Sequence, residues 1–448
     1  MGYAQDKILS FRSTSYSELI IRFTMIGSIF LIASYMIYAR VGLIADGSFF
    51  LVREISKKAV CDGGWPSRYF SDFVTQLPVL LAIETPLKKL RILTYFQSIG
   101  LIIIPSIIWT LALLRTYRRP IFVAIYCLYC TSFLNNIIYP ISETNISIAI
   151  FVCIAVWLIT IPIKKFTDKS IIIFLSFLSV ASYSSTLITG PILLYALYCN
   201  ARDFAGCHSA RSFLQFLTAE KWASVSTVLF IFSGVIGAIS TFDPSSTNEL
   251  KGSFSFVVLI HSYQAIFTCI GATIFIMSMV VRDYDYFINK LLKILSFLIL
   301  LYFIVNIEKF ENNIQSYFGT KSILCLYSSF IVLILIIWRF SMRAVKYSIS
   351  WAGLIMPLLL FLSTAIPAVQ NAEQFVVFTN HIRHIADRST GIVDIAHTTL
   401  PRYRGYYWTY PFLSIIVANR PNSAVILDKK LYNISINRSN FPDLNSYY

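Results

Sequence analysis

Apolar runs of roughly 17 to 25 residues, each enough to carry a helix across about 30 Å of hydrocarbon, recur along nearly the whole chain. They predict about eleven transmembrane helices, over 19–39, 92–114, 121–139, 146–163, 171–183, 187–199, 223–242, 254–281, 294–307, 322–338 and 350–367. The fifth and sixth runs are short. Between them Tyr183-Ser184-Ser185-Thr186, followed by Gly190-Pro191, reads either as a loop joining two spans or as one broken or re-entrant passage. That choice sets the direction of every span downstream. The polar interruptions are brief except for two, the stretch 40–91 and the tail after Pro367. A chain in a bilayer must satisfy its backbone inside helices, so chemistry on water-soluble groups needs such a polar shelf at the surface.

Composition agrees with the pattern: 56% of residues are hydrophobic and 13% charged, with a mean hydropathy of +0.68, which excludes an ordinary soluble domain. The net charge of +15 adds direction. Basic residues follow every second span, at Arg115, Arg118 and Arg119, then Lys164, Lys165 and Lys169, then Arg202, Arg211 and Lys221, then Arg282, Lys290 and Lys293, then Arg339, Arg343 and Lys346. Retention of positive charge on the cytoplasmic side predicts a cytoplasmic N-terminus and an extracytoplasmic C-terminus, with the 40–91 loop also outside. The basic excess is this topological signal plus attraction to membrane lipids, and it calls for no nucleic acid.

Lys7 and Arg12 precede a first span too long for a signal-peptide core, with no small-residue cleavage site, so that span is expected to stay as an anchor. Of eight cysteines only Cys61 falls outside, which offers the exposed face no intramolecular disulfide. Cys127 and Cys130 form a CxxC within an apolar run, where a pair of small packing residues is the simpler reading than a metal or redox site.

The outer loop opens with Ala45-Asp46-Gly47 directly beyond the first span. From Ser48 to Val60, Phe49, Phe50, Val52, Ile55 and Ala59 share one side of a helix while Arg53, Glu54, Lys57 and Lys58 lie elsewhere, as in an interfacial amphipathic helix. Asp62-Gly63-Gly64-Trp65-Pro66 breaks it, and a second short helix is predicted over 67–81, stopped by Glu84-Thr85-Pro86. Asp46 is a candidate base, since a carboxylate beside a glycine at the mouth of a span can take a proton from an approaching hydroxyl; it also reads as a turn or capping residue. Glu143, in the turn 140–145, is a candidate second acid or a solvated turn residue. Arg68, Lys57 and Lys58 are candidates for binding a phosphate, or simply contact lipid headgroups.

The tail is soluble in composition: 371–387 reads as a helix, 391–396 and 424–427 as short strands, and 402–410 as a basic-aromatic loop. A small α/β cap over 368–448 on a transmembrane domain of 1–367 results. In the loop, Trp408 and its neighbouring tyrosines suit stacking on a sugar ring while Arg402 and Arg404 suit a phosphate or carboxylate; the same residues suit an interfacial aromatic belt. His381 and His384 have no matching third ligand, so no metal or cofactor is expected.

A first span ending at an acidic residue, a long outer loop of interface helices, many further spans and an outer C-terminal cap together resemble the GT-C membrane glycosyltransferases. The likeness is one of layout: the loop carries no adjacent Asp-Glu pair and the tail no Trp-Trp-Asp. The resemblance implies an inverting sugar transfer from a polyprenyl-phosphate donor to a glycan or lipid-linked acceptor, of the O-antigen-modifying type, at the outer face of a bacterial inner membrane. In it Asp46 matches the catalytic base and Glu143 a second, less regular acidic position. The rivals are a polysaccharide polymerase, a lipid-linked glycan flippase or another transporter. Transporters more often carry cations or broken helices at the bundle's midplane, and His261 and Arg22, near span starts, are the closest approach to that.

Overall fold

The computed structural model describes residues 16–44, 46–61, 68–86, 89–117, 119, 121–134, 143–160, 162–183, 185–242, 263–280, 314–341, 351–398, 400, 409–428, 444 and 447. Among these, five helices are long and apolar enough to cross a membrane: Glu18–Tyr38, Leu90–Thr116, Lys221–Thr241, Ile323–Phe340 and Ile355–Arg388. Shorter apolar helices cover Tyr69–Ile83, Ile121–Phe133 and Thr144–Thr160. The protein is thus α-helical and membrane-embedded. Its outward side chains agree, since Phe23, Leu31, Val228, Phe232, Val235, Ile239, Leu362 and Ile366 stand exposed on the bundle's perimeter, a surface that water would not tolerate and lipid does. The span expected at 294–307 lies outside the described residues.

In chain order α1 is Tyr16–Tyr38 and α2, after a 3-10 turn at Val41–Leu43, is Asp46–Lys57. Next come α3, Tyr69–Ile83, and α4, Leu90–Ser98, which passes through a π turn at Ile99–Ile103 into α5, Ile104–Thr116. The helix α6, Ile121–Leu128, ends in a second π turn, Tyr129–Leu134. Then follow α7 (Glu143–Thr160), α8 (Phe166–Ser179), α9 (Thr186–Ala205), α10 (Ala210–Ala219) and α11 (Lys221–Phe242). The later helices are α12 (Tyr263–Val280), α13 (Ile314–Ser341) and α14 (Trp351–Arg388). Beyond them lie β1 (Ile392–Asp394), α15 (Tyr410–Val417) and β2 (Val425–Leu427).

Burial follows the hydrophobic pattern. Every residue of α6 is buried, and α7 is buried on all sides from Ile146 to Ile159; helices apolar all round belong in the middle. Aromatic side chains fill that middle. Tyr126 exchanges a hydrogen bond of 2.8 Å with Ser28 of α1 and stacks on Phe361 of α14 at 6.2 Å, while Trp109 of α5 meets Tyr129 edge-on at 5.8 Å.

One end of the bundle is knit by charge. Arg22 of α1 donates to the Tyr117 carbonyl after α5. Arg115 grips Asp168 of α8 with two bonds, 3.0 and 3.2 Å, and Trp157 of α7 donates to the same carboxylate at 3.3 Å. Lys169 of α8 pairs with Glu220, just ahead of α11, at 2.8 Å, and Asn200 of α9 donates to the Leu158 carbonyl. So the ends of α5, α7 and α9 and the starts of α1, α8 and α11 meet at this basic end. The opposite ends meet too: Ser147 of α7 lies 3.1 Å from Ser182 after α8, and Ser233 of α11 donates to the Ser179 carbonyl at 2.8 Å. Hence α8 and α9 are two antiparallel helices. The alternative of one broken passage fails, because α9 runs on from Thr186 through Pro191 to Ala205 as one helix, antiparallel to α8.

At the far end, α2 and α3 form a platform that α14 and the tail close over. The helix α14 has 38 residues, about 57 Å at 1.5 Å per residue and nearly twice the hydrocarbon thickness. It runs through Pro357 and Pro367 without a break, so the helix expected at 371–387 is the upper half of the last span and the 367/368 boundary falls inside it. Strands β1 and β2 fall within the stretches expected at 391–396 and 424–427, and they pair in parallel, Ile392 with Val425 through Asp394 with Leu427. Asp387 at the top of α14 accepts from the Asn419 backbone at 2.9 Å and from its amide at 2.7 Å, which ties this small unit to the end of the long helix.

Candidate functional site

The platform is built by close backbone approaches and a few buried polar groups. Gly42 lets the turn after α1 settle on α4: a Cβ there would stand 2.6 Å from the Ser98 Cα, and its N–H donates to Ser98 Oγ at 3.2 Å. Gly100, in the first π turn, does the same for α3, at a separation so small that a Cβ would meet the Thr75 carbonyl oxygen at 1.7 Å. Gln76 of α3 then clamps the chain leaving α2, donating to the Cys61 carbonyl at 2.8 Å and accepting from its N–H at 2.6 Å.

Asp46 is the first residue of α2 and half-buried, with Gly47 and Ser48 behind it buried. A carboxylate in a first helical turn also sits favourably on the helix dipole. The helix it opens is enclosed more fully than an interfacial helix would be. Gly47, Phe50, Leu51, Glu54 and Ile55 are all buried, and Phe49 packs edge-on against Phe412 of α15 at 5.0 Å. The C-terminal unit therefore covers α2 on the apolar side, which an interfacial helix would turn to lipid.

Enclosure also takes in a residue that the sequence pattern places off the apolar face. Glu54 is 0% exposed, and neither carboxyl oxygen completes a hydrogen bond. Burial pushes its pKa well above the usual carboxylate range, and only the amide of Gln97, on α4, opposes the shift. Both polar atoms of that amide are likewise buried without a hydrogen bond. A neutral acid has one O–H to give and one carbonyl to accept with, the reverse of an amide, so the two form a complementary pair held just out of bonding contact. The signal was present in the spacing: residues 47, 50, 51, 54 and 55 form one helical stripe, and Glu54 is the polar member of it.

The remaining candidates are dispersed. Lys57 and Lys58 are exposed at the other end of α2, about 16 Å from Asp46 along the axis. Lys58 adopts a left-handed conformation, φ 48°, and acts as the stop of the helix. Arg68 is half-buried, its guanidinium 5.5 Å over the Tyr183 ring at the α8–α9 junction. Glu143 opens α7, at the same end of the bundle as the platform. Arg402, Arg404 and Trp408 lie outside the described residues. Asp72 of α3, a further acid, is buried within the platform, and His381 and His384 are exposed on α14. The structure thus joins Asp46 and Glu54 on one helix and places Lys57 and Lys58 at the opposite end of that helix from Asp46. Compared with known proteins, the chain matches no family model, no curated protein and no solved structure.

Proposed function

We propose that this protein transfers a sugar from a polyprenyl-phosphate donor to a glycan or lipid-linked acceptor on the outer face of a bacterial inner membrane, as a GT-C-type enzyme of about eleven spans. In this reading the basic end faces the cytoplasm and the platform faces outward. Asp46 takes the proton of the acceptor hydroxyl as that oxygen attacks the anomeric carbon, the phosphate leaves with the bonding electrons, and the configuration inverts.

The observation that carries the reading is the contrast between two carboxyl groups on α2. Asp46 is half-buried at the helix start, whereas Glu54 is fully enclosed and its pKa is pushed well up by burial. Two acids in unlike surroundings on one element are how a site separates a proton acceptor from a proton holder. Asp46→Asn removes the acceptor while keeping the shape. Transfer should fall at least ~100-fold, read as loss of one sugar's mass from the surface glycan of cells carrying the variant, with the protein inserted in normal amount. Full glycan modification by Asp46→Asn would overturn the catalytic role.

A further inference from the structure

Three guanidinium groups converge at the platform end from three different elements. Arg40 follows α1 in a left-handed conformation, φ 55° and ψ 36°, which few residues other than glycine adopt without being held there. Its guanidinium lies 6.0 Å over the ring of Tyr95 on α4. Arg91 is one turn earlier on α4, four residues from Tyr95 and so on the same face, and it is exposed. Arg383 comes from α14, whose Glu373 accepts a hydrogen bond from Tyr35 of α1 at 3.3 Å, bringing the upper parts of the two helices together. Arg383 donates to a neutral partner, Asn380. Among the described residues, none of the three arginines has an ion pair.

Cations gathered without a carboxylate repel one another. Burial pulls the Arg40 pKa below its ordinary value, Tyr95 opposes that shift, and Arg383 and Arg91 add to it. Arg115, at the other end of the bundle, is by contrast neutralised by Asp168. What would relieve the repulsion here is an external anion with several acceptor oxygens, which planar guanidinia grip with paired hydrogen bonds. Apolar side chains run down from this point on both helices, Tyr38 and Leu31 on α1 and Val377 and Ile366 on α14, all exposed. An anion seated among the arginines can therefore carry a hydrocarbon chain that lies along this seam.

We infer that Arg40, Arg91 and Arg383 form a binding site for a phosphate ester borne on an apolar chain, its phosphate on the guanidinia and its chain along the α1–α14 seam. This deepens the proposed transfer and rests on that reading only for the identity of the ester as the sugar donor. The site is distinct from Arg68, Lys57 and Lys58.

The test is binding of farnesyl phosphate to the purified full-length protein in detergent, with inorganic phosphate and phosphatidylglycerol as competitors. Farnesyl phosphate should bind at least tenfold more tightly than inorganic phosphate, and phosphatidylglycerol should compete poorly. R91E, at an exposed position, and the double variant R40Q/R383Q should each weaken farnesyl phosphate binding at least tenfold while eluting as the parent protein does. Unchanged binding in R91E would overturn the site whether or not the double variant folds. Equal affinity for inorganic phosphate would overturn the apolar component, and equal competition by phosphatidylglycerol would reduce the cluster to general headgroup contact and overturn it as well. If these variants lose binding but Asp46→Asn keeps full glycan modification, the site stands and the transfer reading falls. If Asp46→Asn abolishes modification and the arginine variants bind normally, the reverse holds.

Discussion

A glutamate in water has a pKa near 4.3 and is ionised at neutral pH; Glu54 is removed from water altogether, and its folded-state pKa is raised by that burial. The sign of the consequence follows from proton counting. Between the unfolded and folded values the native chain holds a proton that the unfolded chain has released, so stability falls as pH rises through that window. The stabilising contribution is complete below about pH 4 and is lost at a slope of up to about 1.4 kcal/mol per pH unit as pH rises toward the folded value. Glu54→Gln keeps the shape and removes the titration, so it should flatten this dependence. Thermal unfolding of the parent and variant in detergent at pH 5 and pH 8 measures it: the variant's advantage should grow with pH, and parallel curves would mean that Glu54 is not held as the acid. The residue was readable in part. Its place in the 47, 50, 51, 54, 55 stripe is a matter of helical period, but only the cover of α15, brought from the far end of the chain by the Phe49–Phe412 contact, turns a position beside the apolar face into a fully buried one.

Elements were legible where a long apolar run met a charge or a breaker. The seventh span, expected at 223–242, is α11, Lys221–Phe242, because Lys221 sets its start; the short strands were legible from β-branched runs flanked by turn residues. The ten-residue α10, Ala210–Ala219, was missed: no residue in it is buried, so it never forms an apolar run, and its marker is the Ser209–Ser212 capping box with bonds of 3.0 and 3.1 Å. The π turn in α4–α5 was not legible either, since its reason is tertiary. Gly100 carries the approach of α3, and the obstacle a side chain would meet is the Thr75 backbone, which cannot rotate away. Gly100→Ala should therefore destabilise the protein by about 1–3 kcal/mol through enforced displacement of α3. Gly27→Ala in α1, where nothing lies within 4 Å of the added carbon, should be neutral or stabilising by up to about 1 kcal/mol. Thermal unfolding of the two variants side by side decides it, and equal stability would remove the close approach of α3 to the π turn.

At the scale of the molecule the function proposed above depends on which side the platform faces, and that depends on the number of crossings between it and the basic end. From the end of α2 the chain passes through α4–α5, α6, α7, α8 and α9 before reaching α10. Because α8 and α9 are antiparallel, α10 lies at the opposite end of the bundle from the platform; had they formed one broken passage, the two would share an end. In the function proposed above, the charge alternation places α10 on the cytoplasmic side. All eight cysteines are buried, so an introduced surface cysteine reports with little background. Lys58 and Gln215 are both exposed, at the end of α2 and on α10. A membrane-impermeant maleimide added to intact cells should modify K58C, and should modify Q215C only after the membrane is opened. Modification of both from outside would restore the broken-helix topology, and the reverse pattern would turn the platform inward, where no extracytoplasmic acceptor could reach Asp46.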